Sequence, residues 1–127
     1  MQHQDLIDRF YAAYAARDAT GAAALYAPDG RHDEVAMGKS RQGREALAQG
    51  LEGFWRMLPD VTWTRLGYIR AADHVAVTYH MTGTFTGKDG RARPIALDGL
   101  HLFEIPDGLL TVTKDLWDLD LFKAQMG

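Results

Sequence analysis

Hydrophobic and polar positions divide the chain into a helical first half and a strand-rich second half. Over residues 5–16, apolar residues recur three and four positions apart with charged residues opposite, which predicts an amphipathic helix. A second, short helix with the letters TGAAALYA is predicted after Asp18, whose side chain can cap its first turn, and the turn PDG at 28–30 should end it. A third helix is predicted over about 44–58, where the following proline stops it.

The second half of the chain has the period and composition of β-strands. Four segments rich in β-branched and aromatic residues follow one another: VTWTRLGYI, HVAVTYHMTGTF, RPIALDGLHLFEI and LLTVTKDLWDLDLF. Turn residues at 88–90 (KDG) and 106–108 (PDG) predict hairpins, and a further short strand is predicted around 31–35. This order predicts one α+β domain over 1–127, with helices packed on one face of a curved sheet whose open end can hold a ligand.

Composition and charge exclude several classes of function. The 127 residues carry a net charge of -3, so there is no basic field for a nucleic acid. The lack of cysteine excludes disulfides, thiolate metal sites and cysteine nucleophiles. The first residues, MQHQDLIDRF, lack an apolar signal segment, and no run approaches the roughly 20 apolar residues of a membrane-spanning helix. We therefore expect a soluble cytoplasmic protein with no membrane partner.

Five segments, taken in order, are similar to those of a known family: LIDRFYAAYAARD, LYAPDGRHDEVAMGKSRQGREAL, MTGTFTG, DGLHLFEIPDG and TKDLWDLDLFKAQMG. Together they resemble the SnoaL-like polyketide cyclase and ketosteroid isomerase branch of the nuclear transport factor 2-like (NTF2-like) superfamily. The resemblance implies an NTF2-like (cystatin-like) cone, in which three N-terminal helices pack on a curved, mostly antiparallel sheet around an apolar cavity. Relatives usually form homodimers through the outer face of the sheet, and the apolar residues on both faces of HVAVTYHM and IALDGLHLF agree with this.

The isomerase pattern implies roles for residues on several elements. Asp33, in RHDEV, falls where these enzymes keep the carboxylate that moves a proton beside a ketone. His101 falls where they keep the buried acid that donates to the enolate oxygen, and Trp117 matches a tryptophan that lines the cavity. Phe10 stands at the position of the oxyanion tyrosine, and Tyr14, one turn further along the same helix face, is the candidate replacement.

The cyclase branch implies a second assignment. Its members resemble this chain in pairing a histidine with an aspartate on the last two strands, which selects His101 and Asp115. Asp118 is the alternative, because family members often end the last strand with an aspartate after an aromatic residue. Strand alternation places Asp115 on the same side as Trp117 and Asp118 on the other, unless a bulge near the strand end reverses the order.

These assignments predict a small isomerase or cyclase that needs no cofactor and acts on a hydrophobic carbonyl compound. Asp33 would remove a proton, with its pKa raised by burial, and a neutral His101 held by Asp115 would present its free nitrogen to a substrate oxygen. Aromatic side chains should line the cavity, the candidates being Trp117, Phe54, Trp55, Tyr79 and Phe103. The alternative is a non-catalytic protein that binds a small ligand in the same cavity, which the phenylalanine at position 10 favours.

No metal site is predicted. His32, Asp33, His80 and His101 are dispersed along the chain, with none of the HxxxH or His-x-His spacing that places ligands on one face. In an extended segment His32 points away from the side that Asp33 faces, so we expect it to be exposed.

Overall fold

One sheet of six strands organises the fold of the computed structural model, which describes residues 2–127. The elements in chain order are α1 (Gln2–Ala15), α2 (Ala19–Ala23), β1 (Tyr26–Glu34), a 3-10 turn (Val35–Met37), β2 (Lys39–Gln42), α3 (Arg44–Met57), β3 (Thr62–Ala71), β4 (His74–Thr86), β5 (Ala92–Glu104), β6 (Leu110–Trp117) and α4 (Leu119–Met126). Across the sheet the order is β2-β1-β6-β5-β4-β3. All neighbours are antiparallel except β1 and β6, whose parallel pairing joins the two halves of the chain.

The core lies between the helices and the inner face of the sheet. Buried and partly exposed residues alternate along β4, and the buried set is Val75, Val77, Tyr79 and Met81. This is the period of a strand with one covered face. The first helix, α1, packs on that face and places the ring of Phe10 4.9 Å from the ring of Phe103 on β5. The predicted packing of helices on one face of the sheet is therefore confirmed.

Three N-terminal helices form where the hydrophobic pattern predicts them. The bounds of α1 and α3 differ from the predicted ones by only a few residues. Asp18 accepts a hydrogen bond from the backbone N–H of Gly21 at 2.9 Å, so the predicted cap of α2 is present. Within residues 2–127, no helix has the length and apolar character needed to cross a membrane.

The segment between α2 and α3 differs from the prediction, because it forms two strands. The first of them, β1, begins at Tyr26, so the PDG at 28–30 lies within a strand, where the register against β6 shifts between Tyr26 and Arg31. The hydrophobic pattern does not predict β2, because its four residues, KSRQ, are all polar and exposed. Such an edge strand carries no hydrophobic alternation.

The last strand ends earlier than predicted, at Trp117, and a fourth helix follows. Asp118 begins α4 by accepting a hydrogen bond from the backbone N–H of Leu121 at 3.0 Å. The side-chain amide of Gln125 pairs with the backbone N–H and C=O of Ala96 at 2.9 Å each, beyond the last residue that β6 pairs with β5. The expectation of N-terminal helices alone is wrong, because the letters LDLF fit a helix as well as a strand.

Candidate functional site

A cavity of about 270 Å³ lies between α3 and the inner face of the sheet. Its apolar lining comes from both halves of the chain: Leu47, Leu51, Phe54, Met57, Trp63, Met81, Leu97, Trp117 and Phe122. Its polar lining is concentrated on three neighbouring strands, with one tyrosine from α1: Tyr14, Tyr26, His32, Glu34, Lys39, Arg41 and Asp115. The cavity therefore combines apolar walls with one wall of polar and ionisable side chains, as ligand sites commonly do.

Asp115 is a largely buried carboxylate in this wall, with a side chain 14% exposed. Its Oδ1 accepts a hydrogen bond from the Tyr79 hydroxyl at 2.5 Å, and its Oδ2 lies 3.5 Å from Nε2 of His101. Burial raises its pKa, but the neighbouring His101 and the hydrogen bonds that His101 and Tyr79 donate outweigh burial and hold the pKa of Asp115 below its usual range. The wall thus contains an ionised carboxylate at neutral pH.

His101 pairs with Asp115 as predicted, but its imidazole does not line the cavity. The side chain is 1% exposed and lies under α1, where Nδ1 is 2.6 Å from the Tyr11 hydroxyl. Burial raises the pKa of Tyr11, so the phenol is neutral. Because the Asp115 carboxylate faces Nε2, a neutral imidazole is assigned its proton on Nε2, and the Tyr11 hydroxyl then donates to Nδ1. The expectation that a free nitrogen of His101 faces the substrate is wrong, because both nitrogens have partners inside the protein.

Asp33 does not line the cavity either. Its Oδ1 accepts hydrogen bonds from the Ser40 hydroxyl at 2.8 Å and from Nε of Arg31 at 3.0 Å. Burial raises its pKa, but these two hydrogen bonds outweigh burial and place the pKa of Asp33 below its usual range. The prediction that Asp33 faces the cavity with a raised pKa is therefore wrong. The physical reason is strand parity, which the register shift between Tyr26 and Arg31 sets for the rest of β1.

His32 and Glu34, the two neighbours of Asp33, face the cavity instead. Nδ1 of His32 lies 2.7 Å from the Thr113 hydroxyl oxygen, which lies 2.6 Å from the Tyr26 hydroxyl. Both hydroxyl hydrogens find an acceptor among these groups only if Tyr26 donates to Thr113 and Thr113 donates to Nδ1. A neutral His32 then carries its proton on Nε2, 3.4 Å from Oε2 of Glu34. The expectation that His32 points to solvent is wrong.

Three potential metal ligands meet at this wall. One ligand atom each from His32, Glu34 and Asp115 lies within 4.8 Å of the other two. The indole N–H of Trp117 donates to Oε1 of Glu34 at 2.5 Å, which fixes the orientation of that carboxylate. An imidazole with two carboxylates is a ligand set that can hold a divalent cation. Sequence spacing does not predict that these three side chains come together, because they lie on β1 and β6, at opposite ends of the chain. The expectation of no metal site stays a prediction.

The family of this chain follows from its sequence over residues 7–113, which match the family model described as the SnoaL-like domain. The chain belongs to the SnoaL-like domain family. The match covers most of the chain, and the recognition from the sequence motifs is confirmed. No curated protein sequence matches this SnoaL-like chain.

Solved structures similar to this SnoaL-like chain share its fold at low sequence identity. A protein with a ketosteroid isomerase-like fold from Catenulispora acidiphila, in complex with trimethylamine, is 24% identical, with a TM-score of 0.86 over 96% of this chain and 92% of that one. IdmH from Streptomyces antibioticus, a candidate polyketide cyclase, is 24% identical, with a TM-score of 0.84 over 100% and 99%. A candidate SnoaL-like polyketide cyclase from Shewanella putrefaciens is 16% identical, with a TM-score of 0.86 over 99% and 96%. These likenesses show the NTF2-like fold.

Tyr14 lines the cavity of this SnoaL-like domain, as predicted. Phe10, which the resemblance places at the oxyanion tyrosine position, is fully buried and packs against Tyr14, with ring centroids 4.2 Å apart. Burial raises the pKa of Tyr14 well above its usual value, so the phenol stays neutral. Its hydroxyl has no hydrogen-bond partner within the part of the chain that the structure describes, and it is therefore available to a ligand.

The other predicted lining residues divide into two groups. Phe54 and Trp117 line the cavity as predicted, whereas the remaining candidates do not: Trp55, Tyr79, Phe103 and Asp118. Trp55 faces another side of α3 and packs edge-on against Tyr14, with ring centroids 5.7 Å apart. The two strand aromatics are buried on the inner face, in contact with the His101 ring, and the aspartate caps α4. Trp63 is a lining residue that the sequence pattern does not separate from the core.

Proposed function

We propose that this SnoaL-like protein transfers protons on a hydrophobic carbonyl compound, as a cyclase or an isomerase that needs no cofactor, with Asp115 as the base. The observation that carries the proposal is the position of the Asp115 carboxylate, which Tyr79 and His101 hold in the wall of a mostly apolar cavity. A carboxylate fixed in this way can meet the C–H bond next to the carbonyl group of a bound ligand. Asp33 has no role in this scheme.

In the proposed reaction, Asp115 removes a proton from the carbon next to the carbonyl, and the electrons of that C–H bond form the enolate. The Tyr14 hydroxyl and the Nε2–H of His32 are the donors available to the enolate oxygen. In an isomerase, the Asp115 carboxyl returns the proton to another carbon. In a cyclase, the enolate carbon attacks a second carbonyl of the same molecule, whose oxygen takes up the proton from the Asp115 carboxyl. Because the pKa of Asp115 is low, these donors carry much of the barrier reduction.

The lining residues support a flat, largely apolar substrate. Phe54, Trp63 and Trp117 offer ring faces and edges against which a fused-ring molecule can pack. IdmH and the Shewanella protein, as candidate polyketide cyclases of the same fold, support a polyketide-like compound, and the ketosteroid isomerase-like fold of the Catenulispora protein supports a steroid-like one. A polyketide and a ketosteroid both carry the carbonyl group that the scheme needs.

A non-catalytic protein that binds a small ligand is the second candidate. Phe10, at the oxyanion tyrosine position, favours it, as do the internal partners of both Asp115 oxygens and both His101 nitrogens. In that case the cavity holds a carbonyl compound without converting it. Binding without exchange of the ligand's protons is the result that favours this candidate.

The catalytic proposal predicts that the protein enolises a hydrophobic ketone. The probe is 2-tetralone in deuterium oxide, and NMR measures how fast the protons next to its carbonyl exchange for deuterium. Asp115→Asn should lower the protein-dependent rate by about 10²–10⁴-fold, the usual contribution of a positioned base. The matched control is Asp33→Asn, which changes a carboxylate outside the cavity and should keep the wild-type rate.

Removal of metal ions tests the absence of a cofactor in the same assay. Treatment with EDTA should leave the exchange rate unchanged, because the scheme uses only side chains of the protein. A rate lost with EDTA and restored by a divalent cation would instead implicate the cluster of His32, Glu34 and Asp115. An Asp115→Asn protein that exchanges 2-tetralone as fast as wild type contradicts the proposed base.

A further inference from the structure

The cavity wall formed by β1 and β2 carries its positive and negative charges at different depths. Because Ser40 bonds to Asp33 on the far side of the wall, its neighbours Lys39 and Arg41 face the cavity. Arg41 lies opposite His32 in the β1–β2 register. Both cations are exposed on the edge strand, whereas the carboxylates of the wall are more deeply buried. The rim of the cavity is therefore positive and its inner end negative.

The side chain of Arg41 packs against α3 at Gly50. A Cβ atom added at Gly50, in the middle of that helix, would lie 2.5 Å from Cδ and 2.6 Å from Nε of Arg41. The stem of Arg41 thus occupies the space that any other residue at position 50 would fill. Glycine is less favourable than alanine in a helix interior, and at this position it leaves room for the Arg41 stem. The guanidinium is held beside the cavity.

Neither Arg41 nor Lys39 has a carboxylate partner among residues 2–127. By contrast, Arg31, Arg65 and Arg93 each pair with an aspartate at 3.0 Å or less. The aliphatic part of Arg41 packs against α3, and its guanidinium has no carboxylate partner among the residues that the structure describes. Such a guanidinium is suited to bind an anionic group from a ligand.

We propose that Arg41, assisted by Lys39, binds a carboxylate group of the substrate at the rim of the cavity. The substrate is then a hydrophobic carbonyl compound that also carries an acid group; this rests on the proposed function for the reacting end of the molecule. A carboxylate matches the planar guanidinium with two hydrogen bonds. Glu34 and Asp115 repel an anion from the inner end, so the acid group stays at the rim and the carbonyl end enters toward Asp115.

The test measures binding rather than turnover. The probes are 2-naphthoate and its neutral counterpart 2-naphthamide, with dissociation constants from quenching of tryptophan fluorescence, since Trp63 and Trp117 line the cavity. Wild type should bind naphthoate about tenfold more tightly, as expected for a partly exposed charge-assisted hydrogen bond. Arg41→Gln should remove the preference and leave the affinity for naphthamide unchanged. Lys88→Gln, in the exposed turn between β4 and β5, should behave as wild type.

A second variant tests the packing of Arg41 against Gly50 without removing the charge of Arg41. Gly50→Ala places a methyl group where the Arg41 stem lies, and because alanine favours a helix the variant should remain folded. It should lose most of the preference for naphthoate. Equal wild-type affinities for the two probes, a preference retained in Arg41→Gln, or no binding of either probe at millimolar concentration would each overturn the proposal.

Failure of the proposed function gives a different result. Asp115→Asn removes the proposed base but not the rim cations, so it should keep or increase the preference for naphthoate. A protein that prefers naphthoate without exchanging 2-tetralone has the anion site but not the proposed chemistry. One that exchanges 2-tetralone without preferring naphthoate has the chemistry and overturns the anion site.

Discussion

At the scale of single residues, the state of Asp115 depends on the direction of the hydrogen bonds around it. Tyr11 donates to Nδ1 of His101, the Nε2–H of His101 points at Asp115, and Tyr79 donates to Asp115 from the other side. Burial raises the pKa of Tyr79 as it raises that of Tyr11, so both phenols stay neutral donors. In the proposed scheme His101 is a positioning residue, which orients the carboxylate without reaching the cavity.

Tyr11→Phe tests the hydrogen bond between Tyr11 and His101. The variant should lose about 1–3 kcal/mol of unfolding free energy, because Nδ1 of His101 is left buried without a donor. It keeps the ring and its contact with the guanidinium of Arg65, 4.9 Å away. Urea denaturation measures the loss, and Tyr68→Phe, which removes a hydroxyl from an exposed ring, should change stability by less than about 0.5 kcal/mol. Equal losses in both variants contradict the assignment.

The candidate site was only partly predictable at this scale. His101 and Asp115 could be selected from their places on consecutive strands, but in the letters HDE each of three polar residues was able to face inward. Which of them does so depends on the register shift between Tyr26 and Arg31, and one residue of shift reverses every side chain after it. Pro28 and Gly30 lie in the shifted stretch but were interpreted as a turn that ends a helix, so Asp33 was selected in place of its neighbours.

At the scale of elements, β5 makes room for the side chain that reaches Asp115. Gly99 lies opposite Tyr79 in the β4–β5 register, and a Cβ at Gly99 would lie 2.3 Å from the Tyr79 hydroxyl oxygen and 2.4 Å from its Cζ. The Tyr79 ring crosses β5 to reach Asp115 on β6 because this position has no side chain. A glycine inside a strand is here a requirement of the site.

Gly99→Ala should displace Tyr79 and break its hydrogen bond to Asp115. The pKa of Asp115 is lower in the folded protein than its value of about 4 in the unfolded chain. The charge of Asp115 therefore stabilises the fold fully above about pH 4, and this stabilisation is lost as the pH falls through the pKa of the folded protein. The variant should therefore lose stability at neutral pH, and part of that loss should vanish in acid. Urea denaturation at neutral and acid pH measures both parts.

The control for that change is Gly53→Ala, where the nearest atom to the new methyl group is a guanidinium nitrogen of Arg56 at 3.7 Å. This variant should be at least as stable as wild type, because alanine favours the helix. A Gly99→Ala protein as stable as wild type, or one whose loss is the same at both pH values, would contradict the role of Tyr79.

Elements whose apolar residues recur with a clear helical or strand spacing could be predicted, and elements without such a spacing could not. The helices α1 and α3 and the hairpin turn at 88–90 follow from apolar spacing and turn residues. The edge strand β2 is polar throughout, and α4 replaces the end of a predicted strand because its first letters fit either period. Their conformations are decided by pairing with β1 and by the Gln125 contact with Ala96, which are tertiary interactions.

At the scale of the whole molecule, the outer face of the sheet carries an apolar patch that no helix within residues 2–127 covers. Ile69, Ala76 and Leu102 form one row across neighbouring strands, which Lys114 continues on β6. Leu100 and Leu116 lie opposite each other in the next row. Ile69 is 67% exposed and Leu116 37% exposed. A contiguous apolar surface of this kind on a folded domain indicates an interaction site.

The homodimer predicted from the sequence stays a prediction, and this outer face is where it should form. Light scattering should give the mass of a dimer at micromolar concentration. Leu102→Lys should give a monomer, because pairing would bury an uncompensated charge. Leu109→Lys, at an exposed leucine between β5 and β6, should stay dimeric. A monomeric wild type contradicts the prediction.

The parallel pairing of β1 with β6 also affects how the protein is made. His32 and Thr113 touch across this pair, yet they are 81 positions apart, so β1 leaves the ribosome long before the strand that completes it. In the interval its open edge can pair with other chains, and closing so long a loop is slow. The wall that contains His32 and Asp115 is therefore complete only after β6 has been made, and we expect a nascent chain halted before β6 to need a chaperone.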